Sequence, residues 1–152
     1  MRKALSSPPT KLKLLEAAQQ LMLVKGFTAT SLEEICDAAA VTKGSFFHYF
    51  NNKEELGKAV LAYYMAGQFR ALQSAPFSKK RDSLERVYGY IDFIIKMSRD
   101  PGILHGCLLG NFSQDLCDTH PAIGAQCGRH FEQWAGMLKR DLDAAKLKHA
   151  PK

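Results

Sequence analysis

Residues Thr42–Phe50 read TKGSFFHYF, a pattern typical of a short helix with one buried side. Thr42 has the hydroxyl with which an N-cap residue accepts a hydrogen bond from the first helical turn. Phe46 and Phe50 lie four residues apart, so they share a face and can anchor the helix to a core. The polar side chains elsewhere on it are Lys43, Ser45, His48 and Tyr49. Such a helix suits the DNA major groove, which predicts the recognition helix of a helix-turn-helix.

Two further helices are predicted in front of this stretch. Apolar residues at helical spacing indicate the first over residues 10–25, and Gly26 supplies the left-handed residue that often follows a helix. The second is predicted over residues 30–39. Two overlapping capping boxes mark its start, Thr30 with Glu33 and Ser31 with Glu34. Together the three helices predict a DNA-binding unit, and the small residues at 38–40 let the second and third helices pack near right angles.

The remainder of the chain is also predicted to be helical. A helix over residues 53–75 begins at a capping box, Asn52 with Glu55, and ends before Pro76. Apolar periodicity predicts three more helical segments, over residues 83–98, 104–118 and 122–148. We therefore expect an all-α chain with a helix-turn-helix DNA-binding domain at residues 1–56. Residues 57–152 are expected to form a helical effector-binding and dimerisation domain, connected by the helix over 53–75.

Composition sets weaker limits on the partner. The 152 residues have a net charge of +6, which permits a polyanionic partner but does not establish one. Residues 1–9 form a basic segment, either a disordered terminus or an arm that contacts DNA through Arg2 and Lys3. The sequence contains no pattern of a signal peptide or a membrane-spanning helix. Four cysteines without a secretory signal favour a reducing compartment, so a cytoplasmic protein is expected.

Residues 10–56 resemble the N-terminal domain of the tetracycline-repressor (TetR) family of bacterial transcriptional regulators. The matching patterns are Lys25-Gly26-Phe27, Thr30-Ser31-x-x-x-Ile35, Ala39-x-Val41-Thr42-Lys43-Gly44-Ser45-Phe46 and His48-Tyr49-Phe50-x-x-Lys53-Glu54-x-Leu56. The resemblance implies a homodimer that puts two recognition helices into successive major grooves of a palindromic operator. It also implies a helical C-terminal domain that binds an effector and changes the spacing of the two DNA-binding units.

The same resemblance implies roles for individual residues. Those at matching positions that would face DNA are Lys43, Gly44, Ser45, Phe47 and Tyr49, with His48 beside them. Those that would hold phosphate are Thr30, Ser31, Thr42 and Lys53. These roles agree with chemistry, since hydroxyls, lysines and helix N-termini suit phosphate, whereas side chains in the groove read the bases.

Three features depart from the family pattern. Phe47 stands where tyrosine is more common, so it can touch a thymine methyl but donates no hydrogen bond. Ala40 stands where glycine is usual, and it adds strain of about 1 kcal/mol if the turn needs a left-handed residue. Family members usually carry two further helices that build a four-helix dimer interface. This sequence ends at Lys152, so we expect a shortened C-terminal domain whose interface is absent or rebuilt.

A second resemblance lies in Gly106-Cys107-Leu108 and Ser113-x-Asp115-x-Cys117-Asp118. These patterns resemble a branch of the family that includes repressors responding to electrophiles and oxidants, which implies a sensor role for Cys107. A thiol near a helix N-terminus is a setting for reversible oxidation. The alternative is a buried cysteine that packs as a small apolar residue. Cys117 is the natural resolving partner, although ten helical residues separate the two by about 15 Å, which favours an intersubunit bond or none.

Aromatic side chains in the second half could line an effector cavity, because a regulator's pocket is cut from its core. The candidate lining residues are Tyr88, Phe93, Cys107, Phe112, Phe131 and Trp134. At helical spacing the same aromatics could instead be ordinary core residues. The chemistry of the small-molecule effector is not apparent from the sequence.

Other kinds of site are not expected. Cys117 with His120 and Cys127 with His130 form two pairs with spacing that zinc accepts. The distance between the pairs is not a recognised pattern, so neither a metal site nor a cofactor is predicted. The sequence lacks a Gly-rich phosphate loop, a nucleophile elbow and a metalloprotease motif, so an enzyme is not predicted.

These patterns predict a sequence-specific DNA-binding transcriptional regulator. We expect a repressor that a small effector, or modification of a thiol near Cys107, releases from a palindromic operator. Release requires only that the effector prefers the non-binding conformation. The alternative is a truncated helical interaction protein that binds DNA weakly or pairs with a full-length relative. A helical thiol enzyme is a distant third.

Overall fold

The structure, a computed structural model, describes residues 9–103 and 105–150. Its α-helices are α1 (Pro9–Lys25), α2 (Leu32–Ala39), α3 (Lys43–Tyr49), α4 (Lys53–Ser74), α5 (Ser83–Ser98), α6 (Leu108–Leu116) and α7 (Pro121–His149). Two 3-10 turns, Pro76–Lys79 and Pro101–Ile103, follow α4 and α5. Over these residues the structure has no strand, which confirms the predicted all-α class. The basic arm predicted at the N-terminus, with Arg2 and Lys3, lies outside the described residues.

The start of α2 is fixed by one of the two overlapping capping boxes. The Ser31 hydroxyl accepts from the Glu34 amide, and the Glu34 carboxylate accepts from the Ser31 amide at 2.9 Å. The other candidate, Thr30, is fully buried, and its hydroxyl donates to the Gly26 carbonyl at 2.7 Å. The helix therefore begins two residues later than predicted, because Thr30 closes the preceding loop instead of capping α2.

The starts of α3 and α4 are capped by the predicted residues, although the capping box predicted at α4 is only half formed. Thr42 accepts from the Ser45 amide at 3.1 Å, and Asn52 accepts from the Glu55 amide at 2.8 Å. The Glu55 carboxylate accepts from the backbone and side chain of Asn51 rather than from Asn52. Three successive helices of the first half thus have side-chain caps, each of which is typically worth about 1 kcal/mol.

The turn between α2 and α3 contains a strained backbone conformation at Ala40. Its φ of 51° and ψ of 48° lie in the left-handed region, where no other non-glycine residue of the described chain is found. The Ala40 amide donates to the carbonyl of Asp37, and the Val41 amide donates to the carbonyl of Cys36. The turn therefore does require the conformation that glycine adopts freely and alanine does not.

Ala40→Gly is expected to raise the free energy of unfolding by up to about 1 kcal/mol, because it relieves the left-handed alanine. The greater freedom of glycine in the unfolded chain offsets part of this gain. Urea denaturation would measure the change. Ala38→Gly is the matched control, since Ala38 is helical and exposed, and it should lower stability by roughly 0.5–1 kcal/mol. Equal losses in both variants would contradict the strain at Ala40.

One hydrophobic core joins α1 to α3, called here the head, to the helices that follow. Phe27 lies at its centre, with ring centroids 5.8 Å from Phe112 of α6 and 5.1 Å from His120 before α7. Gly57 of α4 makes room for the ring, since a Cβ there would lie 2.7 Å from a Phe27 ring carbon. The head therefore packs directly on α4, α6 and the start of α7.

The amphipathic face predicted for α5 is only partly covered. Val87 is buried, whereas Tyr88, Ile91 and Ile95 are 62%, 44% and 43% exposed. α5 packs mainly on α7 and on the turn Pro76–Lys79. Tyr88, Ile91 and Ile95 form an uncovered apolar surface, called here the α5 strip.

α7 presents a mainly apolar face to the rest of the chain, buried as far along as Ala145, with one ion pair within it. Ile123 and Cys127 are buried, whereas Leu142 is 46% exposed. The inward position near Leu142 belongs to Asp141, whose carboxylate accepts from Arg86 of α5 at 2.6 and 2.9 Å. Apolar periodicity could not reveal this position, because an ion pair takes the place of an apolar contact.

Candidate nucleic-acid interface

α3 is held in place by its two predicted anchors. Phe46 is fully buried, Phe50 is 5% exposed, and their ring centroids are 5.7 Å apart. Lys11 of α1 places its ammonium 5.7 Å from the Phe50 ring centroid, within cation–π range. Burial of this side fixes which side of the short helix faces outward.

The outward side carries the residues predicted to contact DNA. We call the set Lys43, Gly44, Ser45, Phe47, His48 and Tyr49 the recognition face. Lys43, Gly44, Phe47 and His48 are exposed, and Ser45 and Tyr49 are half-buried. Phe47 is 52% exposed although it is a large apolar side chain, and its ring meets Phe46 edge-on at 5.2 Å. A surface that combines donors with an exposed aromatic ring is suited to reading base edges and thymine methyls.

One polar side chain of the recognition face, Lys43, forms an exposed ion pair within the protein. The Lys43 ammonium pairs with the Glu33 carboxylate, and both side chains are more than half exposed. The hydrogen bond from Lys43 holds the pKa of Glu33 below its usual value. An exposed ion pair of this kind contributes little to stability. Lys43 can therefore exchange the carboxylate for a phosphate at small cost.

Two of the predicted phosphate ligands are already engaged within the protein. Thr30 is buried, so its hydroxyl cannot reach DNA, and that assignment is wrong for this structure. The Lys53 ammonium donates to the carbonyls of Phe27 and Thr30 at 3.1 and 3.0 Å and lies over the Phe27 ring. Burial lowers the pKa of Lys53. Both side chains stabilise the loop between α1 and α2. Matching residue types to the family did not predict this role.

The remaining predicted phosphate ligands lie at helix N-termini. Thr42 and Ser31 are exposed N-cap residues of α3 and α2. Helix N-termini attract anions through free amides and the helix dipole. The pKa of Glu34, beside Ser31, is lowered to about 2 by the hydrogen bond from Lys25 and by the Ser31 amide. Ser31 thus stands next to a carboxylate that stays ionised down to strongly acidic pH.

Acid should weaken the start of α2 through Glu34. A carboxyl group whose pKa is depressed on folding contributes stability above its unfolded pKa of 4.5, and this contribution is lost as the pH falls towards about 2. Glu34→Gln should therefore be less stable than the wild type at pH 6 and should converge with it near pH 2. The urea midpoint measured against pH gives the comparison. Glu132→Gln, on the exposed side of α7, is the control for the loss of one negative charge, and a constant offset for Glu34→Gln across this pH range would refute the linkage.

A second candidate site is a cavity of about 560 Å³ between α1, α4, α5, α6 and α7. Three of the six predicted lining residues, Phe93, Cys107 and Trp134, do line it. Tyr88 and Phe131 are instead 62% and 42% exposed on the outside. Phe112 is buried in the core against Phe27. These last three residues do not line this cavity, because the side of a helix that lines a cavity depends on how the helices pack.

The other half of the cavity wall was not predicted. It comes from helices that were assigned to the head and to the connection. Gln19 and Leu23 belong to α1, and Tyr64, Met65, Gln68, Phe69 and Leu72 belong to α4. Of the described lining residues, only Gln19 and Leu23 lie outside residues 57–152, the part of the chain expected to bind an effector. The cavity therefore touches α1 of the head directly.

The four cysteines are all free, two exposed and two buried. Cys107 precedes α6 and Cys117 follows it, so the intact helix keeps them about 15 Å apart. The Tyr64 hydroxyl is hydrogen-bonded to Cys107, and burial together with this neighbour raises the pKa of Tyr64. Burial likewise raises the pKa of Cys127 and of Cys36, as expected for thiols in a core. The exposed thiol of Cys107 is thus the one on the cavity wall.

Two further observations concern the described residues alone. Within residues 9–103 and 105–150, no three histidine, cysteine or acidic side chains come together as a metal site would need. Over the same residues, no helix combines the length and the apolar character needed to cross a membrane.

Comparison with known proteins gives matches over both halves of the chain. The family model for bacterial regulatory proteins of the tetR family matches residues 14–60, and the one for the tetracyclin repressor-like C-terminal domain matches residues 83–150. The transcriptional repressor DhaR of Mycobacterium sp. (strain GP1) is 30% identical over 88% of this chain and 72% of its own. The transcriptional repressor NemR of Escherichia coli (strain K12) is 34% identical over 92% and 70%.

Solved structures agree with these matches. The reduced form of E. coli NemR has a TM-score of 0.81 and 27% identity, covering 94% of this chain and 74% of that one. The regulatory protein TetR from Rhodobacter sphaeroides has a TM-score of 0.80 and 26% identity, covering 92% and 74%.

Proposed function

We propose, on the premise that this chain belongs to the tetR family of bacterial regulatory proteins, that it represses transcription by occupying a palindromic operator as a homodimer. The chain is a DNA-binding transcriptional regulator, as are its relatives DhaR and NemR, which are repressors. Its proposed place of action is the bacterial cytoplasm, and no enzymatic turnover is expected. The observation that carries the proposal is the recognition face. It combines hydrogen-bond donors with the exposed ring of Phe47, on a helix whose opposite side is buried in the core.

Each residue of this surface is given a role that suits its chemistry. The hydroxyls of Thr42 and Ser31, at helix N-termini, are proposed to hold phosphates. Lys43 is proposed to exchange Glu33 for a phosphate. Gly44 allows close approach of the backbone, and Phe47 is proposed to touch thymine methyls in the major groove. Ser45, His48 and Tyr49 complete the contacts.

Assembly into a homodimer is the usual state of the family and is proposed for this chain. The α5 strip supplies uncovered apolar surface for such an assembly. Contiguous exposed apolar surface is commonly a site of protein association. Sedimentation equilibrium would test this, since a monomer at every concentration would contradict it.

Release is proposed to start at the cavity. A ligand there touches α1 of the head through Gln19 and Leu23, and it lies beside the Cys107 thiol, so binding or thiol modification could act on the same wall. α6, which follows Cys107, carries Phe112 against Phe27 of the head. A shift of α6 would therefore reach the head through that ring pair. The effector must favour the non-binding state to release the operator.

Selection of bound duplexes from a random DNA pool at two salt concentrations tests the function. An enriched palindrome would support specific binding and two-fold assembly, and its half-site spacing would give the separation of the heads. An enriched single half-site would favour the alternative of a regulator fragment that does not dimerise by itself. Binding without enrichment that disappears at higher salt would reflect phosphate attraction alone and would refute the proposal.

A further inference from the structure

The cavity wall is uncharged and rich in rings. Among the described residues that line it, none is acidic, basic or a histidine. Four of them are aromatic: Tyr64, Phe69, Phe93 and Trp134. A charged ligand would lose its hydration here without gaining an opposite charge, which is strongly unfavourable. The volume of about 560 Å³ is within the range of small-molecule sites.

One polar group on this wall has no partner. The Oε1 atom of Gln19 is buried and accepts no hydrogen bond in the described structure, although Gln19 lines the cavity. Buried acceptors are nearly always paired, and an unpaired one costs free energy. Gln19 therefore holds an unpaired acceptor beside the cavity, and a rotation of its side-chain amide towards a bound molecule would supply the missing donor.

We propose that the cavity binds an uncharged, mainly apolar molecule that carries a hydroxyl or N–H group, and that this group donates to Gln19 Oε1. The rings of Phe93 and Trp134 hold its apolar part. This inference rests on the cavity being the effector site of the proposed function. Because Gln19 belongs to α1, the polar contact joins the ligand to the head itself. Gln19 would thus both select the ligand and connect it to the head.

The single tryptophan of the sequence, Trp134, provides a local readout, because quenching of its fluorescence reports on this cavity. Three probes of similar shape separate the chemical features: 4-tert-butylphenol donates a hydrogen bond, 4-tert-butylanisole does not, and 4-tert-butylbenzoate is charged. In the wild type, the phenol should bind about tenfold more tightly than the anisole, as expected for one buried hydrogen bond. The benzoate should bind at least about tenfold more weakly than the phenol.

Gln19→Met keeps the length of the side chain and removes the acceptor, so the phenol and the anisole should then bind equally. Gln20→Met is the control, because Gln20 is an exposed neighbour that should preserve the preference for phenol. Circular dichroism would verify that both variants fold. Equal binding of phenol and anisole to the wild type, tighter binding of the benzoate, or no quenching by any probe would each overturn the inference.

These measurements need no DNA. If the duplex selection fails while the probes bind as described, the proposed function falls and the ligand class of the cavity stands as a chemical property. If an operator is selected but the probes show no preference, only the inference about Gln19 and its ligand is refuted.

Discussion

Phe27→Ala is expected to lower the free energy of unfolding by about 3–5 kcal/mol, the usual cost of removing a buried phenylalanine. The ring is 2% exposed and touches Phe112, His120 and Lys53, so its loss would leave a cavity between the head and the helices behind it. Such a loss is a large fraction of the stability of an ordinary domain. Urea denaturation followed by circular dichroism would measure it.

The matched control is Phe47→Ala, the same substitution at an exposed ring of the head, which should change stability by no more than about 0.5 kcal/mol. A loss below about 1 kcal/mol for Phe27→Ala would contradict the role of this ring in joining the head to α4, α6 and α7. A transition in which the far helices melt separately from the head would mean the same.

Phe47→Ala should instead weaken operator binding. About half of the ring is exposed, so burial in the groove is worth roughly 1–1.5 kcal/mol for each recognition helix. With two helices in a dimer, the dissociation constant for the operator should rise roughly 30- to 150-fold. Binding to unrelated duplex should not change, because the phosphate contacts remain. Fluorescence anisotropy with operator and non-operator DNA would measure both.

Two further variants make this result specific. Lys43→Ala should weaken binding to both duplexes and reduce the salt slope by about one for each head, as expected for a phosphate contact. Phe131→Ala removes a 42% exposed ring from α7 and should leave operator affinity unchanged. If Phe47→Ala lowered both affinities equally, Phe47 would not read sequence.

The head could be predicted closely from sequence because its determinants are local. The caps at Thr42 and Asn52, the left-handed turn at Ala40 and the anchors Phe46 and Phe50 each act within a few residues. The helix over 83–98 was also located to the residue, since periodicity and an Asp-Pro-Gly stop mark both ends.

The cavity could be predicted only in part because its wall depends on distant pairings. Phe93, Cys107 and Trp134 belong to it, but Gln19 and Tyr64 lie in helices whose apolar pattern gave no hint of an internal space. The same limit explains Thr30, whose hydroxyl suited phosphate by type and yet closes a loop. Residue chemistry predicts what a side chain can do, whereas packing decides whether it is free to do it.

The shared core around Phe27 has a consequence for the exchange of parts between relatives. The predicted boundary at residues 56 and 57 falls inside α4, and Gly57, just beyond it, must stay small to admit the Phe27 ring. A chimaera that joins this head to the sensory half of another regulator would have to carry Gly57, Phe112 and His120 along with it. A chimaera that lacked these partners would lose packing around the Phe27 ring and should be less stable than either parent.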